Sequence, residues 1–405
     1  MSTTAAPASP RRPRVLLLSP YFLPAEQGGG SVRAVQALTA ALKDEFDFTV
    51  LARDHDLRSP TTYPEAARDA ARRATGLDLR YLARGQAGRQ VLHATLAEPF
   101  DLIYLQSLMA PDLALLPLLW ARRRGTNAPP LLIAPRGELM PGALAQRPLA
   151  KRLYLALLRG LGLLARAQWH ATQVEEAAAI ERAVGARAHI APDLPPPLAD
   201  FPAPALTAHA PGPLRVLFLS RIDPVKNLGF AIDVLARVSR PVEFSIAGPI
   251  GNAAVWADCQ ARLQALPAHI QASYLGPQAP AAVPPLLAAQ DLLFLPSLSE
   301  NHGYVVQEAL LCGCAVLLSD RTPWRQLQAA GVGADLPLND PQAFVAWLDA
   351  LDPDALAATR PQCRAYAEHA LAASPAVAQT RDLLRAALQP KARMPSSKAG
   401  QSAER

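Results

Sequence analysis

The sequence predicts an α/β protein of two Rossmann-like domains, each a parallel sheet covered by helices, with the sheets facing a central cleft. Three observations carry this. Apolar strand, loop and amphipathic helix follow one another along the chain, the pattern of parallel sheets flanked by helices. The pattern restarts once, near Arg215, after a stretch crowded with proline and alanine from Pro192 to Pro213, which reads as a linker. The 405 residues exceed one ordinary core and suit two domains of roughly 150–200 residues each.

The elements follow in order. Residues 1–13 are small, polar and proline-rich and are expected to be disordered. The N-terminal domain is assigned to 14–195. It opens with a buried strand, Arg14–Ser19, then a glycine-rich loop and a helix from about Ser31 to Lys43. The linker is assigned to 196–213 and the C-terminal domain to 214–370. There the sequence predicts strands at 215–220, 242–247, 272–275, 291–296 and 315–319. Helices are predicted at 228–238, 255–266, 283–289 and 304–311. Residues 371–389 read as a C-terminal helix with the option of crossing back to the N-terminal domain, and 390–405 as a disordered tail.

Composition excludes several classes. Half of the residues are apolar and 18% are charged, an ordinary globular balance. A net charge of +6 favours anionic partners such as sugar nucleotides, phosphorylated glycans or an acidic membrane surface. No stretch interleaves basic and aromatic residues, so nucleic acid is not implied. Four cysteines, Cys259, Cys312, Cys314 and Cys363, are too few for a disulfide framework and point to a reducing compartment. Cys312 and Cys314 lack a second ligand pair for a metal and read as small apolar residues between a helix and a strand. The run Val15–Leu18 is too short for a signal peptide, and no run of about 20 apolar residues spans a bilayer. The reading is cytoplasmic.

The chemistry-bearing residues fall in loops beyond strands, where ligands of such sheets bind. Ser220-Arg221-Ile222-Asp223-Pro224-Val225-Lys226-Asn227 follows a strand and opens a helix. A guanidinium grips phosphate oxygens in a fork and an ammonium adds a mobile point charge, so Arg221 and Lys226 could neutralise a diphosphate. The alternative is a solvated basic loop. Ser299-Glu300-Asn301-His302-Gly303-Tyr304 leads into a helix carrying Glu308. On a helical rise Glu300 and Glu308 lie roughly 10–12 Å apart, about the span from a ribose to a sugar across a diphosphate. A carboxylate suits vicinal hydroxyls, and the N–H groups opening the helix attract phosphate. The alternative is a pair of surface glutamates. Gln27-Gly28-Gly29-Gly30-Ser31 lets backbone approach a phosphate or sugar, but it is not a dinucleotide fingerprint.

These segments resemble the retaining family 4 glycosyltransferases of the GT-B fold. Ala134-Pro135-Arg136-Gly137-Glu138 is similar to that family's S-P-R-G segment, and His170-Ala171-Thr172 with Glu175-Glu176 to its H-A-T-S-x-x-E turn. Ser319-Asp320-Arg321-Thr322-Pro323-Trp324-Arg325 and Leu336-Pro337-Leu338-Asn339-Asp340 resemble a bacterial subgroup with an S-D-x-T-P-W-R segment. The resemblance implies a retaining, metal-independent glycosyltransferase of hexosyltransferase type in bacterial surface polysaccharide synthesis. It implies a nucleotide-diphosphate sugar as co-substrate, no cofactor, and a glycan or lipid-linked glycan as acceptor. It places Arg221, Lys226 and Glu300 at the reaction, and Gly29, Gly30, Arg136, Asn301, His302, Gly303 and Glu308 at the donor. No metal ligand is assigned, although Asp54-His55-Asp56 superficially invites one.

Three departures stand out. His302 replaces a common phenylalanine, either filling the same space or adding a hydrogen bond to donor or acceptor. Pro192-Asp193-Leu194 replaces P-N-G at the hinge. Ile103-Tyr104-Leu105-Gln106-Ser107 offers no catalytic histidine. A sugar-nucleotide epimerase, a glycosyl phosphorylase, or a non-catalytic paralogue that only binds sugar nucleotides could share the architecture. The cationic segment Lys151–Arg166 is either a core-facing helix with solvated arginines or a peripheral contact with the inner face of a membrane.

Overall fold

The computed structural model describes residues 11–25, 28–57, 59–145, 148–195, 198, 201, 212–300 and 302–389. The readings of residues 1–10, most of the linker, Gln27, Asn301 and the 390–405 tail lie outside the described residues.

The N-terminal domain is a seven-stranded sheet in the order β3-β2-β1-β4-β5-β6-β7. Its strands are β1 (Arg14–Ser19), β2 (Asp47–Arg53), β3 (Asp78–Leu82), β4 (Leu102–Leu105), β5 (Leu131–Ile133), β6 (Ala167–Ala171) and β7 (His189–Ile190). The helices are α1 (Gly30–Leu42), α2 (Glu65–Thr75), α3 (Gly85–Ala97), α4 (Leu115–Arg124), α5 (Pro141–Leu144), α6 (Pro148–Gly160) and α7 (Val174–Val184). The C-terminal sheet has the order β10-β9-β8-β11-β12-β13. It is built from β8 (Leu214–Leu219), β9 (Val242–Ala247), β10 (Ile270–Gly276), β11 (Leu292–Leu295), β12 (Ala315–Ser319) and β13 (Gly333–Leu336). Around it lie α8 (Leu228–Leu235), α9 (Ala253–Gln264), α10 (Val283–Ala288), α11 (Tyr304–Leu311), α12 (Pro341–Asp349), α13 (Pro353–Ala358), α14 (Arg360–Ala373) and α15 (Ala376–Ala387).

Every described pairing between the named strands is parallel. Strands covered on both faces must be apolar throughout, and β1, β4, β8 and β11 are runs such as Val15-Leu16-Leu17-Leu18 and Leu292-Leu293-Phe294-Leu295, all buried. Both sheets reverse strand order beside their first strand, between β1 and β4 and between β8 and β11. A crevice opens at the carboxyl ends of the strands at such a reversal.

Four boundaries depart from the sequence reading. Arg11–Pro13, read as disordered, are held in place: Arg11 Nη2 donates to Asp101 Oδ1 at 2.9 Å and Arg12 Nη1 to the Lys43 carbonyl at 2.8 Å. The helix expected to reach Val238 ends at Leu235, where Val238 N–H turns back to the Leu235 carbonyl. The short strand expected at 272–275 is extended by its pairing with β9 to Ile270–Gly276. The stretch 371–389 is not one helix. Pro375 follows α14 and precedes α15, as a residue without an N–H must.

After that break α15 lies on the N-terminal domain. Ala376, Leu383, Leu384 and Ala387 are buried in one cluster with Val15, Leu17, Val35 and Leu38. Arg381 Nε and Arg385 Nη2 donate to the two carboxylate oxygens of Glu45 at 2.6 and 2.9 Å. Gln168 Nε2 donates to the Ala387 carbonyl at 2.9 Å. Leu384 is fully buried, so Leu384→Ala is expected to cost about 2–5 kcal/mol. Hydrogen exchange should then quicken in β1 and β2 and stay unchanged in β8 and β11. Faster exchange confined to β8 and β11 would refute this assignment of α15.

Candidate functional site

The loops beyond β8 and β11 are stitched together before any ligand is considered. Leu298 N–H donates to the Val225 carbonyl at 2.7 Å, and Asn227 Nδ2 to the Pro296 carbonyl at 3.1 Å. Asp223 caps the intervening turn, its Oδ1 accepting from Val225 N–H at 3.0 Å, and its Oδ2 takes the Arg221 Nε–H at 2.8 Å. The Arg221 side chain, 49% exposed, lies across Gly251, where an added Cβ would come within 2.8 Å of Arg221 Cγ. The side chains of Lys226 and Glu300 meet: Lys226 Nζ and Ser297 Oγ both donate to Glu300 Oε1, the latter at 2.8 Å. The proposed diphosphate cation and the proposed sugar carboxylate thus neutralise each other here.

The following turn is pinned from behind. Trp324 Nε1 donates to the His302 carbonyl at 2.8 Å, and Ser319 Oγ to the Ser297 carbonyl at 2.5 Å. Gly303 has φ 74°, and a Cβ there would press on Trp324 Nε1 at 3.2 Å and Val306 Cγ2 at 3.3 Å, so both conformation and space demand glycine. The subgroup-like segment around Trp324 is thereby the backing of the site. His302 packs its ring on Tyr304 at 4.5 Å between centroids, and its Nε2 meets Gln307 Oε1 at 3.0 Å. Asn301 lies outside the described residues.

The N-terminal domain supplies the facing wall. Gly29 and Gly30 start α1, and a Cβ on Gly30 would touch the Tyr304 ring at 3.6 Å. One turn on, Arg33 Nε lies 3.4 Å from Glu308 Oε1, whose side chain is only 7% exposed. Sequence reasoning missed Arg33. The single signal was a cation one turn into a helix that follows a glycine-rich loop.

The structure places Arg136 differently from the other donor-side candidates. Its guanidinium is nearly enclosed, donating from Nε and Nη2 to Gln106 Oε1 at 2.9 and 2.7 Å and from Nη1 to Asp193 Oδ1. Burial works against its charge, and Asp193, with Tyr104 and Tyr304 nearby, overrides that and raises its pKa. Its backbone adopts φ 54°, a left-handed conformation costing roughly 1–2 kcal/mol. Those bonds tie the side chain to the crossing between the domains.

Its neighbours extend the same cluster. Glu176 accepts from Gly137 N–H at 2.6 Å and from Thr172 N–H and Oγ1–H at 2.8 and 2.7 Å. Glu138 accepts from Ser107 Oγ at 2.6 Å and from the N–H groups of Leu108 and Met109 at 2.7 and 3.0 Å. Tyr304 OH donates to the Leu194 carbonyl at 2.9 Å, tying α11 to the crossing segment. Asp54-His55-Asp56 sits just beyond β2, with His55 Nδ1 2.8 Å from Asp54 Oδ1. All four cysteines are buried and free.

With that geometry in place, comparison with known proteins gives three findings. Residues 205–369 match the family described as Glycosyl transferases group 1. A D-inositol 3-phosphate glycosyltransferase from Rhodococcus erythropolis is 34% identical over 121 residues, 27% of this chain and 26% of that protein. The chain therefore spans about a quarter of the curated relative's length. Solved structures resemble nearly the whole chain. HepE from Anabaena in complex with UDP and glucose has a TM-score of 0.67 at 18% identity, covering 93% of this chain and 100% of its own. Sucrose-phosphate synthase from Thermosynechococcus elongatus has a TM-score of 0.67 at 18% identity, covering 93% and 99%. WaaG, a glycosyltransferase involved in lipopolysaccharide biosynthesis, has a TM-score of 0.59 at 16% identity, covering 91% and 99%. The fold is GT-B: two parallel-sheet Rossmann-like domains.

The buried cluster also carries a titration. His170 Nε2 lies 2.8 Å from the Ala191 carbonyl and Nδ1 lies 2.5 Å from Tyr104 OH. The carbonyl can only accept, so Nε2 carries the proton and Tyr104 donates to Nδ1. Burial, then the nearby Arg136, lowers the His170 pKa to about 4. An unfolded imidazole takes a proton near pH 6.5. Between those values the unfolded state binds more protons, so stability falls as pH falls. The loss attributable to His170 between pH 7 and pH 4 is about 3 kcal/mol. Denaturant unfolding across that range should show a shallower pH slope for His170→Gln. An unchanged slope would show that His170 is not the titrating group.

Proposed function

We propose that this chain is a retaining glycosyltransferase that moves a sugar from a nucleotide-diphosphate donor to a hydroxyl of a glycan or lipid-linked glycan. One observation carries the reading. Arg221 and Lys226 follow β8 and Glu300 and Glu308 follow β11, the strands on either side of the strand-order reversal, and Lys226 meets Glu300 there. These residues lie inside the segment that matches Glycosyl transferases group 1. A similar structure solved with UDP and glucose supports the class of donor.

Each residue has a role set by its chemistry. Glu308 receives the ribose hydroxyls. Glu300 and the backbone at 301–303 receive the transferred sugar. Arg221 and Lys226 hold the diphosphate, and Gly29 and Gly30 close over it from the facing domain. The buried carboxylates exchange their present cations for ligand hydroxyls, while Lys226 exchanges Glu300 for phosphate. Glu300, Glu308 and Lys226 thereby each keep a polar partner, as a desolvated charge requires.

In the reaction the bond from the anomeric carbon to the phosphate oxygen breaks as negative charge builds on the diphosphate. Arg221 and Lys226 are preorganised for that charge. No side chain is assigned as a nucleophile on the opposite face. The acceptor oxygen bonds to the anomeric carbon on the face the diphosphate leaves, and its proton passes to the departing phosphate. Configuration is retained and a nucleoside diphosphate is released. Closure of the two domains excludes water and so suppresses hydrolysis. The basic pair serves the diphosphate, so the reaction needs no metal.

A panel of nucleotide sugars screened for thermal stabilisation identifies the donor, since a ligand binding only the folded state raises the melting temperature. With that donor, Glu308→Ala should weaken binding by about 2–3 kcal/mol. An unchanged dissociation constant would remove the ribose assignment. Arg221→Lys and Lys226→Ala should each slow turnover on the order of a hundredfold at saturating donor. Turnover at the wild-type rate would leave the basic loop a solvated surface. Activity should persist in a chelator, and loss restored by manganese or magnesium would overturn the metal-independent mechanism.

A further inference from the structure

The helix α6 exposes a stripe that no described part of the chain covers. Leu149, Leu153, Leu157 and Leu161 recur every fourth residue and are 74%, 72%, 48% and 39% exposed. The opposite side of the helix buries Leu155 and Leu158 in the N-terminal core. Leucines at this spacing form one continuous line along a helix. The core-facing requirement is therefore already met by other residues, and the outer line is surplus to folding. Isolated exposed leucines need no explanation, but a contiguous apolar line marks a contact surface.

The charged residues of α6 itself and of the carboxyl end of α4 are all cationic. Arg152 and Arg159 are exposed beside it on α6. At its carboxyl end the turn is joined to α4, Arg122 Nη1 donating to the Leu161 carbonyl and Arg166 Nη1 to the Gly125 carbonyl. That junction brings the exposed run Arg122–Arg124 next to the leucines. Between Asp112 and Glu175 the sequence holds a single acidic residue, Glu138. Its carboxylate is turned inward onto Ser107, Leu108 and Met109. An apolar line flanked along α6 and at the carboxyl end of α4 by exposed arginines fits a bilayer with anionic headgroups, where leucines enter the acyl boundary and arginines meet phosphates.

We propose that α6 and the carboxyl end of α4 form a peripheral docking surface for an anionic lipid bilayer. The helix lies in the membrane plane and does not span it; among the described residues no helix is long and apolar enough to cross. The surface rests on exposure and charge alone and is independent of the transfer reaction proposed above.

The test is co-sedimentation of the full chain with vesicles of phosphatidylcholine alone or mixed with phosphatidylglycerol, over a range of salt. The wild-type chain should partition onto the anionic vesicles, stay in solution with the neutral ones, and be released by salt. Leu149→Glu with Leu153→Glu should lower the partition coefficient roughly tenfold or more. Arg152→Ala and Arg159→Ala should each lower it roughly fivefold. These residues are exposed, and unchanged melting temperatures will confirm that the variants fold. Failure of the wild-type chain to bind anionic vesicles overturns the proposal, as does leucine-substituted protein that binds like wild type. Sedimentation velocity that reveals a dimer abolished by Leu153→Glu would assign the face to a second copy instead.

Discussion

A buried guanidinium, that of Arg136, is the charge around which the two halves of the molecule are arranged. Enclosing such a group is tolerable only with a partner of opposite charge and good hydrogen bonds, and breaking such a pair costs about 3–5 kcal/mol. The partner is Asp193, on the segment that leaves the N-terminal domain, and Gln106 beyond β4 accepts from Nε and Nη2. The path of the crossing chain is thereby fixed relative to the sheet. The carbonyls of Ala191 and Leu194 then become available to His170 and Tyr304. Much of the polarity of this otherwise apolar region follows from that one demand.

The cleft obeys a related rule with a different outcome. Lys226 with Glu300, and Arg33 with Glu308, are pairs of opposite charge at the entrance to the reversal of the C-terminal sheet. One pair lies within a domain and the other spans the cleft. In each, a carboxylate of low exposure lies against a cation. The Arg136 guanidinium differs in dividing its bonds between the Asp193 carboxylate and the neutral Gln106.

The fold was legible because its cause is local. Strands buried on both faces must be apolar runs, and β1, β8 and β11 announce themselves in that way. The loops that carry Arg221, Lys226, Glu300 and Glu308 were legible for the same reason, since a loop beyond a parallel strand is where ligands are met. Pairings were not legible. Nothing near Arg33 names Glu308 as its partner, and nothing near Arg136 names Asp193. The break at Pro375 was visible as a residue, but its result, α15 lying on the other domain, depends on a distant apolar surface around Val15 and Leu38. The leucine stripe of α6 was visible as amphipathic, yet sequence periodicity does not tell which of two apolar lines the core will use.

The return of α15 changes the mechanics of the pair. Two domains on one tether can twist, swing and drift apart. Here the backbone passes between them twice, once after Leu194 and again at Ser374-Pro375, and both passages are anchored on the N-terminal side. A second crossing restricts how far the domains can twist or separate, and the contact of Arg33 with Glu308 spans a cleft whose two sides are joined in two places. Cutting the backbone between Phe201 and Leu214 would leave the halves associated through the second crossing.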